Sequence, residues 1–211
     1  MRPVIPIARE GWVFIATPLA LAAILSAVGW QAGAVASLVL AVLVALFFRD
    51  PPRKVPSGEG LILAPADGTV VQVTRYSGSE LDGAATQISI FLSVLDVHVN
   101  RAPFPTVVER IEYRPGGFRL AWRHEASGAN EQNLILLKAP QGRLLVKQIA
   151  GFVARRIVCR IAPGQTLQAG ERIGMIRFGS RVDLIVPAKA ELSLKPGDRV
   201  KGGVSVVGAL R

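Results

Sequence analysis

The chain begins apolar and then changes character. No charged residue lies between Gly11 and Phe48, a run too long for one membrane span and about right for two of roughly 20 residues each. The natural break is Gly29-Trp30-Gln31-Ala32-Gly33, where two glycines, a polar residue and an interface-favouring tryptophan interrupt the pattern. Trp12 marks the interface at the start of the first helix. Arg2 and Arg9 precede this hairpin, while Arg49, Arg53 and Lys54 follow it. By the positive-inside rule both ends then face the cytoplasm. Two alternatives stand beside the hairpin. Ala32-Gly33-Ala34 resembles a signal-peptide cleavage site, although the second apolar run that follows at once favours an uncleaved anchor. Helices that dip into one leaflet without crossing are the other.

Phe47-Phe48-Arg49-Asp50-Pro51-Pro52-Arg53 closes the apolar part, since two prolines end a helix and the charges mark a headgroup zone. The expected organisation is a hairpin over 1–50, a linker over 51–60 and a soluble domain over 61–211. Short β-branched or apolar runs predict strands in that domain: Gly68–Thr74, Gln87–Leu92, Leu134–Leu137, Leu144–Ile149 and Val182–Val186. Turn signals separate them at Asp82-Gly83, Pro115-Gly116-Gly117, Pro163-Gly164 and Pro196-Gly197-Asp198. Arg155–Arg160 fits a short helix or a strand. The tail Leu194–Gly203 resembles the ending of lipoyl-type hammerhead domains, without a lysine placed to carry a modification. Many short strands and no long amphipathic helix predict a mainly β domain of barrel or sandwich type behind an α-helical hairpin.

Charge and cysteine content narrow the partners. The 211 residues carry a net charge of +10, and the basic residues lie mostly after residue 49. That excess suits a surface facing anionic lipid. Aromatics are few and not interleaved with the basic residues, which disfavours nucleic acid. Cys159 is the only cysteine, which excludes an internal disulfide and fits a buried inert thiol.

The chemistry-bearing residues are sparse. Ser180 directly follows Gly179, and a serine hydroxyl beside an unshielded glycine carbonyl can attack it if a base activates the hydroxyl. A tight turn explains a lone Gly-Ser pair equally well. Asp67 sits in a turn before a strand, where a carboxylate commonly bonds its own backbone. His98 lies in Leu92–Pro103, and strand alternation would put Asp96, His98 and Asn100 on one face. His124 falls in a polar stretch that suits a solvated loop, as does Asn130–Asn133. Two histidines without cysteine partners make a poor metal site, so no metal is expected.

Taken in order, these segments resemble the phosphatidylserine decarboxylase proenzymes in their short, membrane-anchored form, a pyruvoyl-dependent family. The resemblance covers nearly the whole chain. It runs through Phe48–Pro51, Pro65–Gly68, Leu92–Pro103, Asn130–Asn133, Gln148–Gly151 with Ala154–Ile157, and Gly174–Arg181. It implies self-cleavage between Gly179 and Ser180 into a β chain, 1–179, and an α chain, 180–211. The α chain would be headed by a covalent pyruvoyl group made from Ser180, the cofactor. That group would decarboxylate phosphatidylserine to phosphatidylethanolamine through a Schiff base. The resemblance also implies His98 in decarboxylation, Asp67 in self-cleavage, a cytoplasm-facing domain on the cell membrane, and a heterodimer of the cleaved chains with the bilayer lipid as partner. Two positions depart from the family pattern. Arg101 stands where the long bacterial form has a second histidine, which leaves His98, Asp67 or a held water as the group that activates Ser180. Asn-Glu-Gln-Asn replaces the usual Asn-Glu-Arg-Asn.

Two other functional classes compete. An uncut, membrane-tethered β domain would bind anionic lipid or a protein partner. A serine hydrolase would use Ser180, His98 and Asp67 as a triad, but no Gly-x-Ser-x-Gly elbow surrounds Ser180.

Overall fold

A computed structural model describes residues 6–117, 130–151, 156–177 and 180–210. Gly179, His124, Arg155 and Arg2 lie outside the described residues. The chain divides into two compact units, Met1–Pro52 and Arg53–Arg211.

The first unit is the helical hairpin. α1, Trp12–Ala27, and α2, Gln31–Phe47, pack against each other across the turn at 28–30. Gly33, expected in the turn, lies inside α2: the chain turns at Gly29 with φ +81°, and one positive-φ glycine suffices. The ends of the hairpin are clasped together. The Ala8 amide donates to the Phe48 carbonyl at 2.8 Å, and the Asp50 amide donates to the Pro6 carbonyl at 2.7 Å. Val13, Ile24, Val35, Leu38 and Leu43 are all exposed, so apolar side chains point outward around both helices. Arg9–Ala27 is long and apolar enough to cross a membrane. Gln31–Phe47 is shorter, and its 17 residues reach only about 26 Å at helical rise against a hydrocarbon core of roughly 30 Å.

The second unit is mainly β. Its strands are β1 Leu61–Leu63, β2 Gly68–Tyr76, β3 Ala85–Leu92, β4 Val99–Arg101, β5 Thr106–Arg114, β6 Gln132–Ala139 and β7 Gly142–Ala150. They continue as β8 Ile157–Cys159, β9 Thr166–Leu167, β10 Arg172–Ile176, β11 Ser180–Pro187, β12 Glu191–Leu192, β13 Arg199–Val200 and β14 Val206–Ala209. All five strands expected from the sequence form, each extended by two to four residues. Arg156–Arg160 contains strand β8, not a helix. A curled eight-stranded sheet runs β13-β2-β3-β11-β7-β6-β5-β9, with two three-stranded sheets, β4-β10-β8 and β1-β14-β12, beside it. Every strand pairing is antiparallel.

β11 is the centre of the large sheet, paired along most of its length with β3 on one side and β7 on the other. Alternation divides its side chains between two faces. Val182, Leu184 and Val186 point inward to the main core with Ile88, Ile90, Leu92, Val146 and Ala150. Ile185 points to the other face and joins a smaller cluster with Leu81, Leu134, Leu136 and Leu145. Gly68 opens β2 where a Cβ would lie 2.2 Å from the Phe91 carbonyl oxygen, so only glycine lets these strands close. Cys159 is half-buried at the edge of the core, not enclosed as the sequence suggests, because β8 is an edge strand.

On the second face lies a buried ion pair. Arg181 Nε donates to Asp183 Oδ1 at 2.6 Å and Arg181 Nη2 donates to the Ser89 hydroxyl at 2.6 Å. Both side chains are at most 1% exposed. Leaving one charge of such a pair alone in the interior costs about 3–5 kcal/mol. Asp183→Leu should therefore lower the urea midpoint of the detergent-solubilised chain strongly. The double variant Arg181→Met/Asp183→Leu should recover much of the loss, which circular dichroism would show.

Candidate active site

Ser180 is the first residue of β11 and shares the inward face with Val182 and Leu184. Its cross-strand neighbours are Leu92 and Ala150. The residue is fully buried, and its hydroxyl makes no hydrogen bond with any described residue. An unsatisfied buried hydroxyl costs about 1–3 kcal/mol. A turn serine on the surface would bear no such cost, so the tight-turn explanation of Gly179-Ser180 loses its support.

His98 reaches the same end of the core by another route. Its carbonyl accepts from the Ile176 amide at 3.3 Å beside the β4–β10 pairing, and Ser180 follows four residues after Ile176. The His98 ring is fully buried, with Nδ1 2.9 Å from the Asp96 carbonyl oxygen. A carbonyl can only accept, so Nδ1 carries the proton and Nε2 is the basic nitrogen of the neutral ring.

Asp96 does not share a strand face with His98 and Asn100, because β4 begins only at Val99 and Asp96 closes a turn before it. The Ser93 amide and hydroxyl donate to Asp96 Oδ2 at 2.8 and 2.7 Å, and Arg199 Nη2 donates to Oδ1 at 2.7 Å. Burial opposes ionisation of this carboxyl, but the Ser93 and Arg199 donors outweigh it and hold its pKa below the usual range. The turn thus fixes the carbonyl that holds the His98 ring.

Three amides form a chain beside them. Asn133 Nδ2 donates to Gln148 Oε1 at 3.0 Å, and Gln148 Nε2 donates to Asn100 Oδ1 at 2.9 Å. All three residues are buried. This order leaves Asn100 Nδ2 as a buried donor with no partner among the described residues. Gln148 is directly opposite Val182, and Asn133 opposite Gln148, so the amides share the face of Ser180. The sequence resemblance contains Gln148 without assigning it a role. Its uncharged polar side chain, next to Lys147 inside the strand run Leu144–Ile149, is the signal. Asn130–Asn133 is not a plain loop. Asn130 is buried and donates to the Ala150 carbonyl at 2.7 Å, while Gln132 and Asn133 open β6. A strand with neighbours on both sides covers these polar side chains.

Asp67 hydrogen-bonds to neither Ser180 nor His98. Arg53 Nη2 donates to its Oδ1 and Oδ2 at 3.0 and 2.8 Å, and the Gly202 amide donates to Oδ1 at 2.8 Å. It immediately precedes Gly68 at the start of β2, and β3 lies between β2 and β11, a separation of about 10 Å at the usual strand spacing. Arg101 is buried as well. Its amide donates to the Pro65 carbonyl at 2.8 Å and its Nη1 to the Gly170 carbonyl at 3.0 Å. It braces the loop that carries Asp67. Arg53 was read from sequence only as a headgroup-zone charge, since its partner is distant in the chain.

Comparison with known proteins identifies the family. Residues 40–208 match the family model described as phosphatidylserine decarboxylase. The chain is 45% identical over 210 residues to the phosphatidylserine decarboxylase proenzyme of Magnetococcus marinus, covering 97% of this chain and 95% of that protein. It is 45% identical over 211 residues to the proenzyme of the same name from Symbiobacterium thermophilum, covering 99% and 97%. It is 43% identical over 206 residues to that of Geotalea daltonii, covering 97% and 96%. The chain belongs to the phosphatidylserine decarboxylase family.

The depressed pKa of Asp96 gives a signed pH effect. Its ionised form stabilises the fold fully above the unfolded carboxyl pKa of about 3.9, and this is lost as pH falls through the lower folded value. Asp96→Asn should therefore lower the thermal midpoint at pH 6. The gap to the parent protein should close as pH drops below about 4, as differential scanning calorimetry in detergent would show.

Proposed function

We propose that the chain cuts itself between Gly179 and Ser180 and then decarboxylates phosphatidylserine to phosphatidylethanolamine with a pyruvoyl group made from Ser180. The observation that carries this reading is the buried Ser180 hydroxyl without a hydrogen-bond partner among the described residues, at the end of a core strand. A nucleophile in a dry site is costly to keep, and chemistry is the ordinary reason to keep one.

In self-cleavage the Ser180 oxygen attacks the Gly179 carbonyl carbon, and the peptide C–N bond breaks to give an ester with a free Ser180 amine. Loss of the Ser180 α-proton then expels the Gly179 carboxylate. Water hydrolyses the resulting enamine, through its imine tautomer, to a ketone and ammonia. The ketone supplies a carbonyl that takes up the substrate amine and draws electrons from the bond to the departing carboxylate. The residues around Ser180 suit such a group. Asn100 Nδ2 offers a donor for an oxygen atom there, and Leu92 and Ala150 flank it with apolar side chains. His98 holds a proton at Nε2 in its imidazolium form and can deliver it to the carbon that loses carbon dioxide. Arg53 and the Gly202 amide fix Asp67 for a part in self-cleavage, which the family resemblance supports.

The substrate is a bilayer lipid, so the domain works at the membrane, facing the cytoplasm. The apolar hairpin tethers it there, and the basic surface attracts anionic headgroups. The cleaved 1–179 and 180–211 chains stay together because β11 remains paired between β3 and β7.

Denaturing mass spectrometry of the full protein should give two fragments split at Gly179–Ser180, the smaller one lacking the ammonia of an N-terminal serine. Ser180→Ala should give one intact chain with no decarboxylation. A single chain from active parent protein would overturn the reading in favour of the uncut lipid-binding domain. His98→Gln separates the two reactions. It should still be cut, yet release carbon dioxide from phosphatidylserine at least about 100-fold more slowly.

A further inference from the structure

The second face of the large sheet carries a cavity of its own. It has a volume of about 530 Å³ and is lined by strand residues Gln72, Tyr76, Gln87, Arg114, Gln132 and Lys147, with Glu80 from the loop between β2 and β3. Alternation puts these strand side chains on the face opposite Ser180. Lys147 lies opposite Asp183 and follows Val146 on β7, while its neighbour Gln148 points inward. Nothing in the proposed reaction uses this cavity.

Two of its side chains belong to residues more than nine-tenths buried, and neither the Lys147 ammonium nor the Gln132 oxygen has a hydrogen-bond partner among the described residues. Lys147 is 8% exposed and makes no hydrogen bond or ion pair with a described residue; its ammonium sits 4.7 Å from the centre of the Tyr76 ring. Gln132 is 6% exposed, and its side-chain oxygen has no hydrogen-bond partner among the described residues. The stem of Lys147 is thus buried while its ammonium opens to the cavity, within the field of Glu80 and Asp183.

The surrounding charges decide the sign of the ligand. Arg114 is taken up by Glu80 at 3.1 Å and by Glu112 at 2.6 Å. Glu80 also accepts from the Tyr76 hydroxyl. On the floor, Arg181 and Asp183 neutralise each other, and Gln87 Nε2 donates to Asp183 Oδ2 at 3.1 Å. The cations without a salt bridge to a described residue are Lys147 inside and Arg75, exposed at the rim. Burial pushes the Lys147 ammonium below the usual lysine pKa, while Glu80 and Asp183 pull the other way. The cavity is of the size that holds small ligands. It offers one buried cation and, at Gln132, one acceptor that needs a hydroxyl.

We propose that this cavity binds a small hydroxylated anion of the phosphorylated-polyol class, with Lys147 on the phosphate and the Gln132 oxygen on a hydroxyl. Such a group occurs in free glycerol phosphates and in polyol-headed anionic phospholipids. Gln132 is also the position at which this chain departs from the usual Asn-Glu-Arg-Asn. An arginine there would place a second cation in the cavity and remove the acceptor.

The test uses the full protein in phosphatidylcholine nanodiscs titrated with glycerol 3-phosphate by calorimetry. Saturable binding is expected, weakened at least about tenfold by Lys147→Met. The rim variant Arg75→Ala should weaken it by about threefold without risk to the core. Self-cleavage of Lys147→Met reports that it has folded. Phosphatidylglycerol added to the disc distinguishes the sources: if it blocks the titration the lipid headgroup occupies the cavity, and if it does not the free ester does. No saturable binding in phosphatidylcholine discs, or binding that neither variant weakens, overturns the proposal.

Discussion

A buried hydroxyl without a hydrogen-bond partner among the described residues is the constraint on which this fold turns. Ser180 could relieve that cost by a backbone shift toward a polar group, which its strand pairing resists. β11 starts at Ser180 and is gripped by β3 and β7 at once, with Leu92 and Ala150 directly beside the serine. The next residue, Arg181, is anchored on the other face by Asp183 and Ser89. The strand end cannot slide by one residue without sending Arg181 into the apolar core and Ser180 onto the ion-pair face. The buried ion pair therefore acts as a register lock for Ser180, a use of buried charge that does not depend on net stabilisation.

The polar groups around Ser180 are oriented by partners outside the site. His98 takes its tautomer from a backbone carbonyl, and that carbonyl is set by the Asp96 turn. Asn100 takes its orientation from Gln148, which takes its own from Asn133. Each functional atom is thus aimed by a neighbour one step further away, which keeps it pointed while leaving it open to a reacting group. Asp67 follows the same logic in a different place. Arg53 and Gly202 hold it beyond β3, so Ser180, His98 and Asp67 do not form the linked triad of a serine hydrolase.

Much of this was legible in the sequence, and the reason is local. Strand runs, turn glycines and the uncharged N-terminal stretch depend on neighbours in the chain, and each produced the expected element. The errors have local causes as well. Alternation was extended back through Asp96 because a three-residue turn leaves no trace in a polar-apolar pattern. Gly33 looked like a turn residue although Gly29 alone makes the turn. The site was legible only as separate residues. Ser180, His98 and Asp67 stood out by type or resemblance. The pairing of Arg53 with Asp67, of Arg181 with Ser89, and the run from Asn133 to Asn100 depend on strand order and register, which no single stretch encodes. Asn130–Asn133 shows the limit clearly: four polar residues read as a loop until the strands on either side bury them.

The two polar clusters of the sheet are built from the same strands, and alternation makes this unavoidable. Gln132 and Asn133 are consecutive in β6, Lys147 and Gln148 in β7, Ser180 and Arg181 in β11. In each pair one side chain serves the inward face and the other the outward face. Apolar residues would pack either face at lower cost, since every buried polar group must find a partner or remain unsatisfied. On the inward face the Ser180 hydroxyl and Asn100 Nδ2 have no hydrogen-bond partner among the described residues, and they lie where the reaction is proposed. On the outward face the Gln132 oxygen has no hydrogen-bond partner among the described residues, and Lys147 meets the Tyr76 ring without a salt bridge. Consecutive residues of one strand thus send polar groups to two separate environments, so a change at either face is felt through the same backbone.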